Sequence, residues 1–163
     1  MKMDAIDRNI VKTLQRQGRI TNVELARLNE LAPSSMLERV RRLEERGVIT
    51  GYRAALDPKK LGYQVEALVM VTLDRHQAGA IDRFESGIQG VPEVRTCYHL
   101  TGRYDYALQV VCRDIDHLGD LVKHDLGGLG GVEKLETFLS LSTVKEDAGY
   151  SIEPLANGAP PAK

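Results

Sequence analysis

The first 46 residues carry apolar side chains at helical spacing in three short segments, and this pattern constrains the fold more than any other feature of the chain. In the first segment, Ile6, Ile10 and Leu14 lie four residues apart on one face of a predicted helix, which Asp4 is placed to cap. The second begins with Thr21–Glu24, whose sequence Thr-Asn-Val-Glu is that of a capping box at a helix start. Both segments therefore predict short helices with defined starts.

The third predicted helix is Pro33–Arg46. It carries Met36, Val40 and Leu43 at positions i, i+4 and i+7, the spacing of a buried stripe, and proline suits its first position. The segment Val48–Leu56 then reads as a strand. Three short helices followed by a strand have the layout of a winged helix-turn-helix, in which the third helix enters the major groove of DNA.

The charge of the chain is unevenly divided. Residues 1–60 carry 13 Lys and Arg against 8 Asp and Glu, a net charge of +5. The remaining residues carry 9 against 15, a net charge of −6. This asymmetry indicates that the first part meets a polyanion and that the second part has another role.

The polar face of the third helix supplies candidate contacts to double-stranded DNA. Short side chains near its start are placed to reach base edges, and arginines further along are placed to meet phosphates. The predicted contacts are Ser34, Ser35, Glu38, Arg39, Arg41, Arg42 and Arg46. The alternative is a solvated surface on which these arginines pair with nearby glutamates. The helix layout and the positive charge favour DNA binding.

From residue 64 onwards, strands alternate with helices. Strands are predicted at residues 64–73, 94–101, 106–112 and 132–142, and helices at 80–88 and 115–122. The tight connection Gly102–Asp105 predicts a hairpin between the middle two strands, and the order is the split βαβ pattern of a ferredoxin-like fold. We therefore predict an α+β protein with a winged helix-turn-helix at 1–60, a ferredoxin-like βαββαβ domain at 61–150 and a disordered tail at 151–163.

Several signals of chemistry are missing from the sequence. The glycine run at 127–131 precedes a predicted strand, whereas a phosphate-binding loop opens a helix. The four histidines lack metal-ligand spacing, and Cys97 and Cys112 are expected to be small buried side chains. We expect no cofactor, no metal and no catalysis. No apolar run reaches the roughly 18 residues of a membrane span and no secretory signal opens the chain, so we expect a cytoplasmic protein without a membrane partner.

Six sequence motifs closely resemble the Lrp/AsnC, or feast/famine, family of bacterial and archaeal transcription regulators. They lie in register along residues 4–146: Asp4–Ile10, Arg19–Ala26, Leu37–Glu44, Gly47–Tyr52, Gly102–Asp105 and Gly131-Val132. The resemblance implies a winged helix joined by a strand to a ligand-binding domain called RAM. It also implies a sequence-specific regulator of operator DNA that forms homodimers through this domain, assembles to an octamer and responds to an amino acid or related small metabolite.

The resemblance further implies an effector pocket between neighbouring dimers. Carried over by position, the pocket involves Thr101, Gly102, Arg103, Tyr104, Asp105, Ile115, Thr137, Phe138 and Leu139. Amides of the turn suit an amino-acid carboxylate, and Asp105 suits its ammonium group. The alternative is that Asp105 caps the turn. Arg103 stands where the family often has an acidic residue, and its guanidinium could engage a second carboxylate of an acidic or unusually polar ligand. The alternative is that Arg103 points to solvent or pairs with an acid across the assembly interface.

The turn before the third helix departs from the family's pattern. The family has an apolar residue followed by glycine there, and this chain has Asn29 and Glu30. Because asparagine tolerates a left-handed backbone, we expect the turn to form in a shifted way. Ala32 replaces the family's serine cap before Pro33, which removes about 1 kcal/mol of helix capping.

An enzyme is the alternative function. Sirohaem decarboxylase subunits resemble the same family in both domains, and such enzymes need haem-contacting histidines and basic residues. His99 and Arg103 are the candidates for such a role in this sequence. Because that enzyme has no need of a basic recognition helix, we expect a regulator and not an enzyme.

Overall fold

The computed structural model describes residues 3–74 and 78–152. Contacts divide the chain into two compact units: residues up to Ala55 and those from Glu146 form the first, and Leu56–Lys145 form the second. The sequence predicted the boundary at residue 60 and placed residues 146–150 in the second unit. They join the first because the backbone of Tyr150 is hydrogen-bonded to the side chain of Gln15. The predicted tail from residue 153 onwards lies outside the described residues.

The first unit is built from three helices: α1 (Ala5–Arg16), α2 (Asn22–Leu28) and α3 (Pro33–Glu45). Both predicted caps are present. The carboxylate of Asp4 accepts a hydrogen bond of 2.7 Å from the N–H three residues further on, and Thr21 and Glu24 form the reciprocal capping box. Ala32 gives α3 no side-chain cap. That helix starts instead at a proline, which has no N–H to satisfy.

The three helices enclose one apolar core. Its buried side chains are Ile10, Leu25, Ala26, Met36, Val40 and Leu43. The stripe predicted on α3 is therefore the face that packs inward. Full burial of one large aliphatic side chain contributes roughly 1.5–3 kcal/mol, so this core is the main support of the helix arrangement.

The turn between α2 and α3 contains a left-handed residue that is not glycine. Glu30 has a φ of 53°, a conformation that costs a side chain with a Cβ roughly 1–2 kcal/mol. Asn29, for which such a backbone would be easier, has a φ of −112°. Its side chain donates to the carbonyl of Leu25 at 2.7 Å and accepts from Asn9 at 2.8 Å. Asn29 therefore closes the end of α2, and Glu30 makes the turn.

The prediction of a strand at Val48–Leu56 is wrong: none of these described residues joins a hydrogen-bonded ladder. The N–H groups of Val48 and Ile49 both donate to the carbonyl of Leu43 and so complete the end of α3. A strand needs a partner backbone, and the described part of one chain offers none to this segment.

The second unit follows the predicted order of strands and helices. Its elements are β1 (Val65–Leu73), α4 (Ala80–Ile88), β2 (Val94–His99), β3 (Tyr106–Cys112), α5 (Ile115–Asp120) with a π-helical extension (Leu121–Leu126), and β4 (Val132–Leu139). The four strands form one sheet in the order β2-β3-β1-β4, and every neighbouring pair is antiparallel. This is the predicted ferredoxin-like arrangement.

The two faces of the sheet differ in burial. Val69 and Val71 of β1 belong to a core that also contains Phe84 of α4 and Leu121 of the helical extension. The opposite face carries exposed apolar side chains, among them the cross-strand neighbours Leu68 on β1 and Phe138 on β4, both 49% exposed. The helices therefore cover one face only of the sheet within the described chain.

The two cysteines have different environments. Cys112, at the end of the central strand β3, is buried as predicted. Cys97 is exposed, contrary to the prediction. It lies on β2, an edge strand with a neighbour on one side only.

The glycine run at 127–131 has a structural cause. Gly131 has a φ of 93°, and a Cβ there would lie 2.7 Å from the Cβ of Ala80, the first residue of α4. Cβ atoms do not approach so closely without displacement of the backbone. The run therefore lets α4 pack directly against the chain entering β4.

None of the described helices has both the length and the apolar composition needed to span a membrane.

Candidate DNA-binding surface and effector site

Most of the predicted DNA contacts lie exposed on α3 and at its end. The exposed residues are Ser34, Ser35, Glu38, Arg41, Arg42 and Arg46. Neither Arg42 nor Arg46 forms an ion pair within the described part of the chain. Arg41 is bonded to Glu45 at 2.8 Å, with both side chains more than half exposed, and such a pair contributes roughly 0.3–0.5 kcal/mol. A pair this weak leaves Arg41 able to exchange Glu45 for another anion.

Arg39 has a different environment from the other arginines. Its Nη1 lies 2.7 Å from Oδ2 of Asp4 and 2.8 Å from Oδ1 of Asp7, and its side chain is 22% exposed. The N–H of Asp7 and then the Arg39 guanidinium lower the pKa of the Asp4 carboxyl. Arg39 therefore joins α3 to the start of α1.

A second contact fixes the chain that follows α3. The hydroxyl of Tyr52 donates to Oε1 of Glu44 at 2.9 Å. Desolvation, together with this carboxylate, raises the pKa of Tyr52 to about 12. This hydrogen bond holds the chain after α3 beside that helix, although no strand pairing fixes it there.

Leu37 is a surface residue outside the predicted set of DNA contacts. It is 55% exposed on α3, in a region of the helix that also presents Ser34 and Arg41, three residues before and four after it. Its exposure follows from the sequence, because Leu37 lies one residue after Met36 and therefore outside the buried stripe of Met36 and Val40. An exposed leucine among polar side chains is suited to contact the C5-methyl group of thymine.

The turn Gly102–Asp105 is held at the end of the sheet by its aspartate. The backbone of Asp105 accepts from Leu100 N at 2.8 Å and donates to the carbonyl of Val71 at 2.9 Å. Its Oδ2 accepts from Leu73 N at 2.8 Å. One oxygen of Asp105 thus closes the end of β1, a structural bond that differs from the turn cap considered as the alternative.

A polar cluster joins this turn to β4. The hydroxyl of Tyr104 donates to Oε2 of Glu136 at 2.8 Å, and Lys134 Nζ donates to Oε1 of the same residue at 2.8 Å. The bonds from Lys134 and then Tyr104 lower the pKa of Glu136. The guanidinium carbon of Arg103 lies 4.6 Å from the centre of the Tyr104 ring. Spacing could not reveal Glu136, because 32 residues separate it from Tyr104.

The remaining predicted effector residues do not all lie near the turn. Tyr106, next to the turn, is paired with Val71, whereas Cys112, just before Ile115, is paired with Val65 at the other end of β1. Six residue steps along β3 correspond to about 20 Å. Ile115 is 58% exposed there, so one chain does not bring it to the turn.

Three exposed residues of β4 lie opposite the middle of β1 and toward the end away from the turn: Thr137, Phe138 and Leu139. Thr137 is paired with Val69 and Leu139 with Ala67 on β1. Thr101 is exposed beside the turn. The predicted site therefore consists of exposed and half-buried positions at the turn and on the edge strand β4, while Ile115 lies apart from them.

His99 takes part in a structural contact on β2. Its ring stacks on Tyr106 with 4.6 Å between ring centres, and the Tyr106 hydroxyl donates to Oε1 of Glu85 at 2.6 Å. A cavity of about 460 Å³ lies beside His99 and Asp105. No cluster of metal-ligating side chains occurs in residues 3–74 and 78–152; His76 lies outside these ranges.

Comparison with known proteins defines both units. Residues 3–50 match a winged helix-turn-helix DNA-binding domain, and residues 66–150 match the Lrp/AsnC ligand binding domain. A DNA-binding helical unit followed by a ligand-binding sheet unit defines a ligand-responsive transcription regulator. The chain belongs to the Lrp/AsnC family. This confirms the predicted fold class, and with it the predicted class of function.

Relatives support this assignment over most of the chain. The leucine-responsive regulatory proteins of Klebsiella pneumoniae and Escherichia coli K12 are 38% identical over 144 residues, 88% of each chain. A transcriptional regulator from Neisseria meningitidis, solved with L-Met, is 32% identical with a TM-score of 0.84, covering 89% of this chain and 94% of that one. The E. coli AsnC structure is 27% identical with a TM-score of 0.81, covering 90% and 97%.

Proposed function

We propose that this regulator places α3 in the major groove of operator DNA, and that an amino acid bound at the sheet unit sets its DNA affinity. The observation that carries the first part is the exposed polar end of α3. Ser34, Ser35 and Glu38 are free of the core that holds Met36 and Val40, so they are available to base edges.

The arginines divide into two groups. Arg42 and Arg46 are exposed and are proposed to contact phosphates, while Arg41 is proposed to exchange its partner Glu45 for a phosphate. Arg39 is proposed to orient α3 through α1. Leu37 adds an apolar contact among these polar side chains and favours A·T pairs by touching the thymine methyl group.

Fluorescence anisotropy with operator and random DNA at several salt concentrations tests this division. Arg42→Ala should weaken binding to both DNAs alike and reduce the salt slope by about one. Ser35→Ala and Leu37→Ala should change the ratio between the two DNAs. The control is Lys123→Ala, which removes an exposed cation from the second unit. Equal losses on both DNAs for every α3 variant would contradict the assignment.

For the effector, we propose an α-amino acid whose ammonium group meets Asp105 and whose carboxylate meets amides of the turn. A solved neighbour of this chain contains L-Met, and its relatives are named for leucine. Because Ile115 lies at the other end of the sheet, we propose that a second copy of the chain supplies it. Lys134 and Glu136 then form the edge of the pocket beside Arg103.

Self-association is proposed through the open face of the sheet. Leu68, Tyr98 and Phe138 are 49–60% exposed, and covering such side chains in a homodimer removes apolar surface from water. We propose that dimers assemble further to an octamer, which brings the turns of neighbouring dimers together. Light scattering of the intact protein should give masses in multiples of the dimer.

Calorimetric titration identifies the ligand. L-methionine, L-leucine and L-glutamate are compared with glycine, which lacks a side chain. If Arg103 selects the ligand, Arg103→Ala should weaken L-glutamate binding more than L-methionine binding. If none of these amino acids binds and none stabilises the protein to heat, the effector proposal fails.

We propose that the protein acts in the cytoplasm, where it meets its operator, and that it has no catalytic activity. His99, the candidate haem contact, is stacked on Tyr106 and lies 3.9 Å from Glu85. These contacts support a structural role for the imidazole. A bound tetrapyrrole in the purified protein, visible by its absorbance, would favour the enzyme instead.

A further inference from the structure

The segment 146–152, which we call the C-terminal strap, is held on α1 by one side chain. Gln15 Nε2 donates to the carbonyl of Tyr150 at 3.0 Å, and Tyr150 N donates to Gln15 Oε1 at 2.6 Å. A carboxamide that pairs with both backbone groups of one residue binds the peptide as a neighbouring strand would. The side chain of Tyr150 is 87% exposed, so the backbone, and not the phenol ring, makes this contact.

The strap has a backbone shaped for this position. Gly149 has a φ of 80°, and a Cβ there would overlap the carboxamide oxygen of Gln15. Its N–H donates to Oδ1 of Asp147 at 2.8 Å, which closes a tight turn just before Tyr150. Glycine is therefore favoured here by its backbone angle, and a Cβ would displace the flexible Gln15 carboxamide from its contact with the strap.

The receiving surface of α1 and the strap border a common cavity. Lys12, Gln15 and Arg16 border a cavity of about 220 Å³ whose other side is formed by Ala148 and Tyr150 to Ile152. Ile152 is half-buried there. The strap begins with Glu146 and Asp147, opposite in sign to Lys12 and Arg16.

We propose that the C-terminal strap transmits the state of the effector site to the DNA-binding helix. This inference rests on the proposed function, because Thr137–Leu139 on β4 belong to the proposed effector site. Residues 140–145 alone separate Leu139 from the strap. Six residues span at most about 20 Å, so a shift at the end of β4 that exceeds the slack of this short link would pull on the segment anchored on α1.

The path continues through contacts already described. The strap contacts α1 at Gln15, α1 contacts α3 through Asp4 and Asp7 to Arg39, and α3 presents the proposed DNA contacts. Each step joins packed or hydrogen-bonded groups, which is the physical requirement for energetic coupling between sites. Gln15 and Gly149 are positioning residues in this path and touch neither ligand nor DNA.

Amide hydrogen exchange in the full-length protein tests the docking. In the wild type, the Tyr150 amide should exchange slowly, and Gln15→Ala should speed its exchange by about tenfold or more. Gly149→Ala should do the same from the other side of the contact. The matched control is Gln17→Ala, two residues further along and just after α1. Exchange at the rate of an unstructured peptide in the wild type would overturn the docking.

DNA affinity measured with and without L-methionine or L-leucine tests the coupling. Gln15→Ala should bind DNA and amino acid as the wild type does, while the change in DNA affinity caused by the amino acid falls at least about threefold. If Gln15→Ala keeps the full response to the amino acid although its Tyr150 amide is released, the proposed coupling through the strap is wrong, and the proposed effector function stands. If the wild type binds neither amino acid and responds to no other, the proposed effector function and the coupling both fail. The docking of the strap on α1 is then judged by amide hydrogen exchange alone.

Discussion

The guanidinium of Arg39 lies 2.7 Å from the carboxylate of Asp4, so a basic side chain on α3 is committed to the start of α1 in its own unit. Asp7 accepts from the same nitrogen at 2.8 Å. We predict that Arg39→Met lowers the stability of the protein by about 1 kcal/mol at pH 7, a modest value because the Asp4 side chain is half exposed. Urea unfolding measures this difference.

The same pair predicts a dependence on pH. The pKa of Asp4 is lowered from 3.8 in the folded state, so its contribution to stability is present above pH 3.8 and is lost as pH falls through the lower, folded pKa. The wild type and Arg39→Met should therefore converge in stability in that acidic range. Arg42→Met, at an exposed position, serves as the control and should keep wild-type stability at every pH. A constant difference between Arg39→Met and the wild type would contradict the pairing.

Glu30 makes the turn before α3 with a left-handed backbone. Replacing it with glycine removes the strain of the Cβ but adds freedom to the unfolded chain. We predict that Glu30→Gly stabilises the protein by about 0.5–1 kcal/mol, seen as a higher midpoint of thermal unfolding. Glu30→Ala keeps the Cβ and loses the charge, so it should bring no such gain. If Glu30→Gly and Glu30→Ala stabilise the protein equally, the gain comes from removing the charge and not from relieving the backbone strain.

Asp105 combines a structural bond with a proposed ligand contact. Asp105→Asn keeps an oxygen to accept from Leu73 N but removes the negative charge. We predict that this variant folds with nearly wild-type stability and binds L-methionine at least about tenfold more weakly, because a charge-assisted bond is lost. Asp105→Ala should lose stability as well. Unchanged calorimetric affinity in Asp105→Asn would remove this residue from the pocket.

Gly131 lets α4 approach the chain entering β4. A methyl group there meets Ala80 at 2.7 Å and requires a φ of 93°, so Gly131→Ala should cost roughly 2–4 kcal/mol. Gly119, in α5, provides the matched control, because a Cβ there has no atom within 4 Å. Gly119→Ala should stabilise the helix by about 0.5–1 kcal/mol. Chemical denaturation measures the free energy of unfolding of the two variants. Equal changes in both would contradict the role assigned to the close approach at Gly131.

The parts of the fold that depend on neighbours in sequence could be predicted. The capping box at Thr21 and the buried stripe of Met36, Val40 and Leu43 follow from spacing alone. The hairpin at Gly102–Asp105 follows from two alternating segments with a tight connection. These features are decided within a few residues, where the rules of helix starts and strand pairing apply directly.

Contacts between distant residues escaped the sequence. The strap at Tyr150 reaches Gln15 across 135 positions, and Glu136 joins Tyr104 across 32. By sequence, Arg39 cannot be distinguished from the other arginines of α3, because its ion-pair partner Asp4 lies 35 residues away. The prediction of a strand at Val48–Leu56 is wrong because strand-forming composition is local, whereas a strand also needs a partner backbone.

Strand β3 spans about 20 Å from its end beside the Gly102–Asp105 turn to its end before Ile115, and this length has a consequence for the proposed effector site. A ligand that needs both regions is bound by two copies at once, so each binding event also joins copies. Its apparent affinity then rises with the concentration of the regulator, and saturating ligand favours the larger assembly by mass action. If the effector binds in this proposed pocket, the response depends on the abundance of the protein together with that of the metabolite, and a cell that makes more of the protein responds at a lower metabolite level.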